Sequence, residues 1–170
     1  MRVYLPLTVD LLRQAVRSRV LRPVGDTGFA VTDALRTEYD GADVEDLEYL
    51  AMSDAALASL RLISGYGADP VRVVAAVDCE ARAVTQRPDR DRAAVTLAGD
   101  VPWTAVASVH LDGGDAAPVV RAAADSVTAA DLGDQDAAIA VGDAQDIDLA
   151  WYHPSEIGYL LEEVGNDSPG

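Results

Sequence analysis

The run Val71-Arg-Val-Val-Ala-Ala-Val-Asp78 is apolar almost throughout and rich in valine. Such a segment has no polar face to turn toward water. It reads as a strand buried on both sides, hence central in a sheet whose two faces are each covered by other elements. That requirement points to a layered fold with helices packed on a sheet. A chain of 170 residues is long enough to build one. At that size about 70% of the surface that the unfolded chain exposes is buried on folding.

The remaining periodicity supplies the cover. Arg2–Leu5 reads as a short strand. Thr8 is a good N-cap, and the recurrence of Val9, Leu12, Val16 and Val20 predicts a helix over 9–20 that Pro23 stops. Phe29–Val31 is a second candidate strand, and Thr32 caps a short helix ending before Asp40-Gly41. Asp43 with Asp46 resembles a capping box with a shorter acid. Leu47, Leu50, Leu57, Leu60 and Ile63 give the next helix a broad apolar face; Ser53-Asp54 is a point at which it would divide, and Gly65-Tyr-Gly67 ends it.

Past the valine-rich strand, a polar loop over 79–92 leads to strands at Ala93–Ala98 and Val106–Leu111, with one helical turn at Pro102–Ala105 between them. The second of these strands alternates Ala107, Val109 and Leu111 against Ser108, His110 and Asp112. Asp115 is expected to cap a helix through Val127; the acidic segment 131–148 fits no single pattern. Ile147–Tyr152 is a last candidate strand, and Pro154-Ser155 opens a final helix. The expected architecture is α+β or α/β, a single mixed sheet of about five or six strands covered by helices. One domain is expected over 1–163, with a frayed tail over 164–170.

Charge narrows the function. The formal net charge is −16, and all 13 basic residues are arginine. Residues 1–39 carry net +2, residues 40–130 net −8, and residues 131–170 ten acids with no basic residue. Nucleic acids and anionic membranes are held by basic clusters, so neither is an expected partner. A basic protein partner suits this charge, and a homo-oligomer is compatible with it. The scarcity of Phe, Ile and Asn beside the absent Lys follows from a GC-rich genome; the many aspartates also suit salt adaptation. The longest apolar runs fall far short of the roughly 20 residues that span a membrane. Pro6 and Asp10 interrupt the N-terminal apolar stretch as no signal peptide would allow, so a cytoplasmic location is expected.

Several chemistries have no residues to carry them. A Walker A loop and Schiff-base catalysis both need the missing lysine. One cysteine, Cys79, allows neither an internal disulfide nor a cysteine-rich zinc site, and it reads as a small apolar residue. Asp134-x-Asp136 and Asp89-x-Asp91 both fail the calcium-loop spacing. No metal site and no cofactor is implied.

What remains is a short set of candidates. His110 lies two residues from Asp112, a carboxylate placed to raise the imidazole's basicity. His153, in Trp151-Tyr-His-Pro-Ser-Glu156, stands beside two aromatics at a helix start, with Glu156 in reach. These three, His153, His110 and Glu156, are the catalytic candidates; met together with a carboxylate, the two histidines would suit a hydrolytic or metal site. Arg13 and Arg17 share one helix face and are candidates for gripping an anion. The acids Asp131, Asp134, Asp136, Asp143, Asp146 and Asp148 are candidates for an interaction surface, or else a solvated face.

Met1-Arg-Val-Tyr-Leu-Pro6 running into a Leu-Leu-Arg helix, Phe29-Ala-Val-Thr-Asp-Ala-Leu-Arg36, Glu45-Asp-Leu-Glu-Tyr-Leu-Ala51 and Ser59-Leu-Arg-Leu62 form one set of motifs. Asp131-Leu-Gly-Asp134 and Leu149-Ala-Trp-Tyr152 with Glu156-Ile157 complete it. Together they resemble a family of small, acidic, uncharacterised proteins of high-GC Gram-positive bacteria (actinobacteria), a family of unknown function. The resemblance runs from residue 1 to about 161. It implies a soluble bacterial cytoplasmic protein and transfers no activity. Read with the charge, the chain is expected to be a non-enzymatic protein-interaction or regulatory module with an acidic surface. The alternative is a small enzyme or metabolite-binding domain with a pocket near His153 and the first-helix arginines.

Overall fold

The computed structural model describes the backbone of residues 1–166 and the side chains of 1–163. In chain order the elements are β1 (Arg2–Leu7), α1 (Val9–Ser18), β2 (Val20–Leu21), β3 (Thr27–Phe29), α2 (Asp33–Glu38), α3 (Val44–Tyr66), β4 (Val73–Asp78), β5 (Val84–Gln86) and β6 (Ala94–Leu97). Then come β7 (Val101–Pro102), β8 (Val106–Leu111), α4 (Ala117–Asp131), α5 (Gln135–Gln145), β9 (Ala150–Tyr152) and α6 (Ile157–Asn166). Seven strands form one sheet in the order β5-β6-β3-β1-β4-β8-β9, and β2 pairs with β7 in a second, two-stranded sheet. Every pairing is antiparallel, so the α+β alternative holds and the sheet is larger than expected.

The valine-rich strand β4 stands inside the sheet, between β1 and β8. Its alternation divides the core. Val73, Ala75 and Val77 join Val3, Leu5, Leu7, Val109 and Leu111 on one face, covered by α1, α6 and the small sheet. Val74 and Ala76 join Tyr4 and Phe29 on the other, covered by α2 and α3 through Leu35, Leu47, Ala51 and Ala55. The second half of α3 extends past the sheet and packs Leu60 and Ile63 on Val120, Val127 and Val141 of the α4–α5 hairpin. Small side chains make this close packing possible: alanines at 51, 55 and 76 let the helix lie near the strands.

Ser59 ties the layers together. Its buried hydroxyl donates to the Leu7 carbonyl at 2.7 Å and accepts from the Val73 amide at 3.0 Å. Leu7 and Val73 are the last paired residues of β1 and β4 in that direction.

Several expectations need correction. The first strand runs through Pro6 to Leu7, because β3 pairs with β1 at Tyr4–Phe29 and leaves that side of Pro6 without a ladder. The helix α3 is continuous past Ser53-Asp54; the Ser53 hydroxyl bonds back to the Tyr49 carbonyl at 2.9 Å instead of starting a new helix. Asp43 precedes α3 but makes no side-chain cap, so no capping box forms with Asp46. Asp115 sits in a short turn over Gly114–Ala116 and does not cap α4. In β8 the register shifts opposite Val77, so Val106 and not Ala107 takes the inner face with Val109 and Leu111. The acidic segment yields the helix α5, and the last strand, expected over Ile147–Tyr152, begins only at Ala150. Asp134 caps α5, accepting from the Ala137 amide at 2.9 Å. The tail expected over 164–170 lies outside the fully described residues.

Candidate functional site

A cleft of about 240 Å3 opens on the α3 face, where the first half of that helix meets the β8–β9 end of the sheet. Glu45, Glu48, Tyr49 and Met52 fall at positions i, i+3, i+4 and i+7 of α3, one stripe of a helix. That stripe forms one wall. Strand alternation sends Tyr4, Ala76, Ser108 and His110 toward it from β1, β4 and β8. Trp151 closes the edge from β9, in register with His110.

The groups in this cleft are held in defined states. His110 Nε2 lies 3.0 Å from the buried Ser108 hydroxyl. Burial, with Arg2 nearby, pushes the imidazole below its usual range and favours its neutral form. Arg2 donates to Asp78 through Nε at 2.9 Å and Nη2 at 3.3 Å. Burial and the facing Glu48 carboxylate push the Tyr4 phenol up to about 12. The Tyr49 hydroxyl donates to Asp148 at 3.1 Å. That bond raises its pKa, and Asp146 adds to the effect. The acidic segment thus reaches the cleft through Tyr49.

The expected partner of His110 is engaged elsewhere. Asp112 is buried and bound to Arg72, so it leaves the imidazole's basicity unassisted. His153 lies in a separate cleft of about 480 Å3 with Val16, Arg19, Trp103 and Ser155. Its Nδ1 accepts from the Ser155 amide at 3.2 Å, while Glu156 accepts from the His153 amide at 3.3 Å. This is a reciprocal cap of the turn over Pro154–Glu156, which places His153 and Glu156 together as local structure. The two histidines open to different clefts and do not meet. Among the described residues, no group of three or more His, Cys, Asp or Glu could hold a metal ion.

Arg19, and neither Arg13 nor Arg17, is the α1-end arginine beside His153. It takes a left-handed conformation (φ 61°) at the helix end, and its guanidinium lies 5.7 Å from the Trp103 ring centre. Arg13 pairs with Asp10 at 3.0 Å. Arg17 lines a groove with Leu11, Gln14 and Leu21. Cys79 is half-buried, and burial pushes its thiol up, away from the reactive range.

The acidic candidates divide into two sets. Asp131 holds Arg61 with bonds of 2.9 and 3.0 Å, Asp134 caps α5, and Asp148 accepts from Tyr49. Asp136, Asp143 and Asp146 are exposed and enter no ion pair among the described residues. On α5, Asp136 and Asp143 lie three residues before and four after Ile139, which is 62% exposed, Asp146 follows at the helix end, and Ala137, Val141 and Ala144 face inward. Leu132, at the turn before α5, is 85% exposed.

Reasoning from sequence missed Tyr4, Glu45, Glu48 and Tyr49 as site residues. The i, i+3, i+4, i+7 stripe on α3 was the available signal. Among the described residues, no helix is long and apolar enough to cross a membrane. No curated protein and no solved structure matches the chain. The model of a family of unknown function, DUF6912, matches residues 1–161, and the chain belongs to that family.

Proposed function

We propose that this chain is a protein-interaction module of the actinobacterial cytoplasm, folded as one domain over 1–163, whose acidic surface takes a basic partner. The outward face of α5 carries the proposal. There Asp136 and Asp143 flank exposed Ile139, Asp146 follows at the helix end, and the three have no cations of their own among the described residues. An apolar side chain flanked by charges of one sign is suited to an interface with a desolvated centre and an electrostatic rim. Residues 131–170 contain no basic residue of their own to offset these acids.

Affinity capture from native lysate tests it, with the wild type compared against Asp136→Asn/Asp143→Asn/Asp146→Asn and against Ile139→Ser. The wild type should retain a basic protein at low salt and lose it at high salt, where screening shortens to about 3 Å at 1 M. The triple variant should not retain it. The same proteins held equally by all three would overturn the electrostatic reading.

A second reading has its own observation, the shared cleft of His153, Arg19 and Trp103. A guanidinium beside a histidine suits a small anionic metabolite. A thermal-shift screen of phosphorylated and carboxylated metabolites would support it with a hit abolished by Arg19→Gln.

A further inference from the structure

The cleft between α3 and the β8–β9 edge has chemistry that points to a ligand class. We propose that it receives one organic cation, an alkylammonium or guanidinium group of the kind that ends a lysine or arginine side chain. The inference rests on the proposed function only for the source of that cation, a segment of a basic protein.

Size comes first. The cleft holds about 240 Å3, below the roughly 300–1,000 Å3 of sites that enclose drug-sized ligands. It fits one side chain. Its walls are aromatic and open: Trp151 is 59% exposed and Tyr49 is 52% exposed. Ring faces left to solvent at a concave site are attractive to a cation, which meets the negative face of the ring.

Charge then selects the sign. Glu45 and Glu48 stand nearly one turn apart on α3 and join no ion pair among the described residues. The arginine in the cleft, Arg2, is already committed to Asp78 through two bonds, so its charge is locally cancelled. His110 is buried to a degree that disfavours its charged form, so it adds little repulsion. Two uncompensated carboxylates therefore set the potential. Tyr4 is raised by burial first and Glu48 second, and Tyr49 by its bond to Asp148, so acids face the cleft from α3 and from the end of α5. An anion entering the cleft would face both glutamates. A cation would meet them with charge-assisted hydrogen bonds while lying against Trp151. Asp146 and Asp148 extend this negative surface from the end of α5 to Tyr49, so a basic chain lying along α5 would have its next residues at the cleft mouth.

The protein has two tryptophans, and the second is an internal reference, because Trp103 is buried on the opposite side of the sheet. The test follows the indole N–H resonances of the full chain by NMR. Titrants are n-butylammonium chloride, methylguanidinium chloride, sodium chloride at matched ionic strength, and a blocked arginine-rich peptide. Trp151 should shift saturably with both organic cations and more tightly with the peptide, while Trp103 stays still and sodium chloride does nothing comparable. Glu45→Gln/Glu48→Gln should weaken binding by about tenfold or more at unchanged melting temperature. Trp151→Ala should abolish the response, read from the His110 and Tyr49 signals.

Organic cations that shift Trp151 while the peptide binds no tighter would uphold the cleft and identify a free amine as its ligand, against a protein partner. A peptide that shifts α5 but leaves Trp151 unmoved would uphold the acidic surface and overturn the cleft. A Trp151 shift matched by sodium chloride, or undiminished in the double glutamine variant, would also overturn it.

Discussion

Arg72 and Asp112 grip each other inside the protein, with Nε–Oδ2 and Nη2–Oδ1 hydrogen bonds of 3.0 and 2.8 Å between side chains 3% and 0% exposed. The contact is a node. Asp112 also accepts from the Arg72 amide at 2.7 Å, and its own amide donates to the Arg72 carbonyl at 3.2 Å. The Arg72 Nη2 reaches the Ile147 carbonyl at 3.1 Å. One ion pair thus joins the start of β4, the end of β8 and the segment that leads to β9.

Removing one partner should leave a buried charge without a counter-ion. Asp112→Ala and Arg72→Ala should each cost about 3–5 kcal/mol in urea unfolding. Replacing both by apolar residues, Arg72→Met with Asp112→Leu, should recover most of that loss. A single variant within about 1 kcal/mol of wild type, the scale of a surface pair, would show that the pair is not desolvated.

Ser59→Ala should be costly for a different reason. The Leu7 carbonyl and the Val73 amide each lose a partner in a place water does not reach. About 1–3 kcal/mol is expected. Ser53→Ala, which removes a hydroxyl bonded within its own helix, should change stability by no more than about 0.5 kcal/mol. Equal effects from the two would count against the stitching role.

Gly28 is fixed by space. A Cβ there would stand 2.6 Å from Val3 Cγ1 and 3.0 Å from both Leu5 Cδ2 and Leu97 Cδ1. Gly28→Ala should destabilise by about 1–3 kcal/mol through overpacking. A Cβ on Gly65, inside α3, would meet nothing within 4 Å, so Gly65→Ala should stabilise by up to about 1 kcal/mol. Thermal denaturation of the two variants decides, and shifts of the same sign would refute the contrast.

Acid should find His110. Burial first, and Arg2 second, lower its folded pKa below the ordinary value of about 6.5. A depressed imidazole contributes stability that is whole above the unfolded value and is lost as pH falls toward the folded one, because the unfolded chain takes up a proton that the folded chain resists. Unfolding followed from about pH 8 to about pH 5 should therefore show wild type losing stability faster than His110→Gln. Asp78 and Asp131 are lowered by their arginines and act below this window. Parallel curves for the two proteins would remove the assignment.

The fold is legible in the sequence wherever a pattern depends on its own segment. The expected limits of strand β8 are the observed ones, and the Thr8 and Thr32 caps form as expected, accepting from Leu11 and Leu35 at 3.3 and 3.1 Å. The strands β2 and β7, of two residues each, escape such reading because they are defined by each other and not by any local periodicity. Proximity in sequence assigns Asp112 to His110, whereas its actual partner lies 40 residues away. The cleft is hidden for the same reason. Tyr4, Glu48 and Trp151 converge only once β1, α3 and β9 are packed, and α3's polar stripe looks like an ordinary solvated face.

The sheet ends on both sides in a strand of three residues, β5 at one margin and β9 at the other. Each offers too few free backbone groups to template an additional strand, and Pro154 follows β9 closely enough to stop its growth. Stacking of sheets margin to margin into fibrils is therefore disfavoured by construction. Association at the margins of this sheet is left to side chains, where selectivity can be tuned residue by residue.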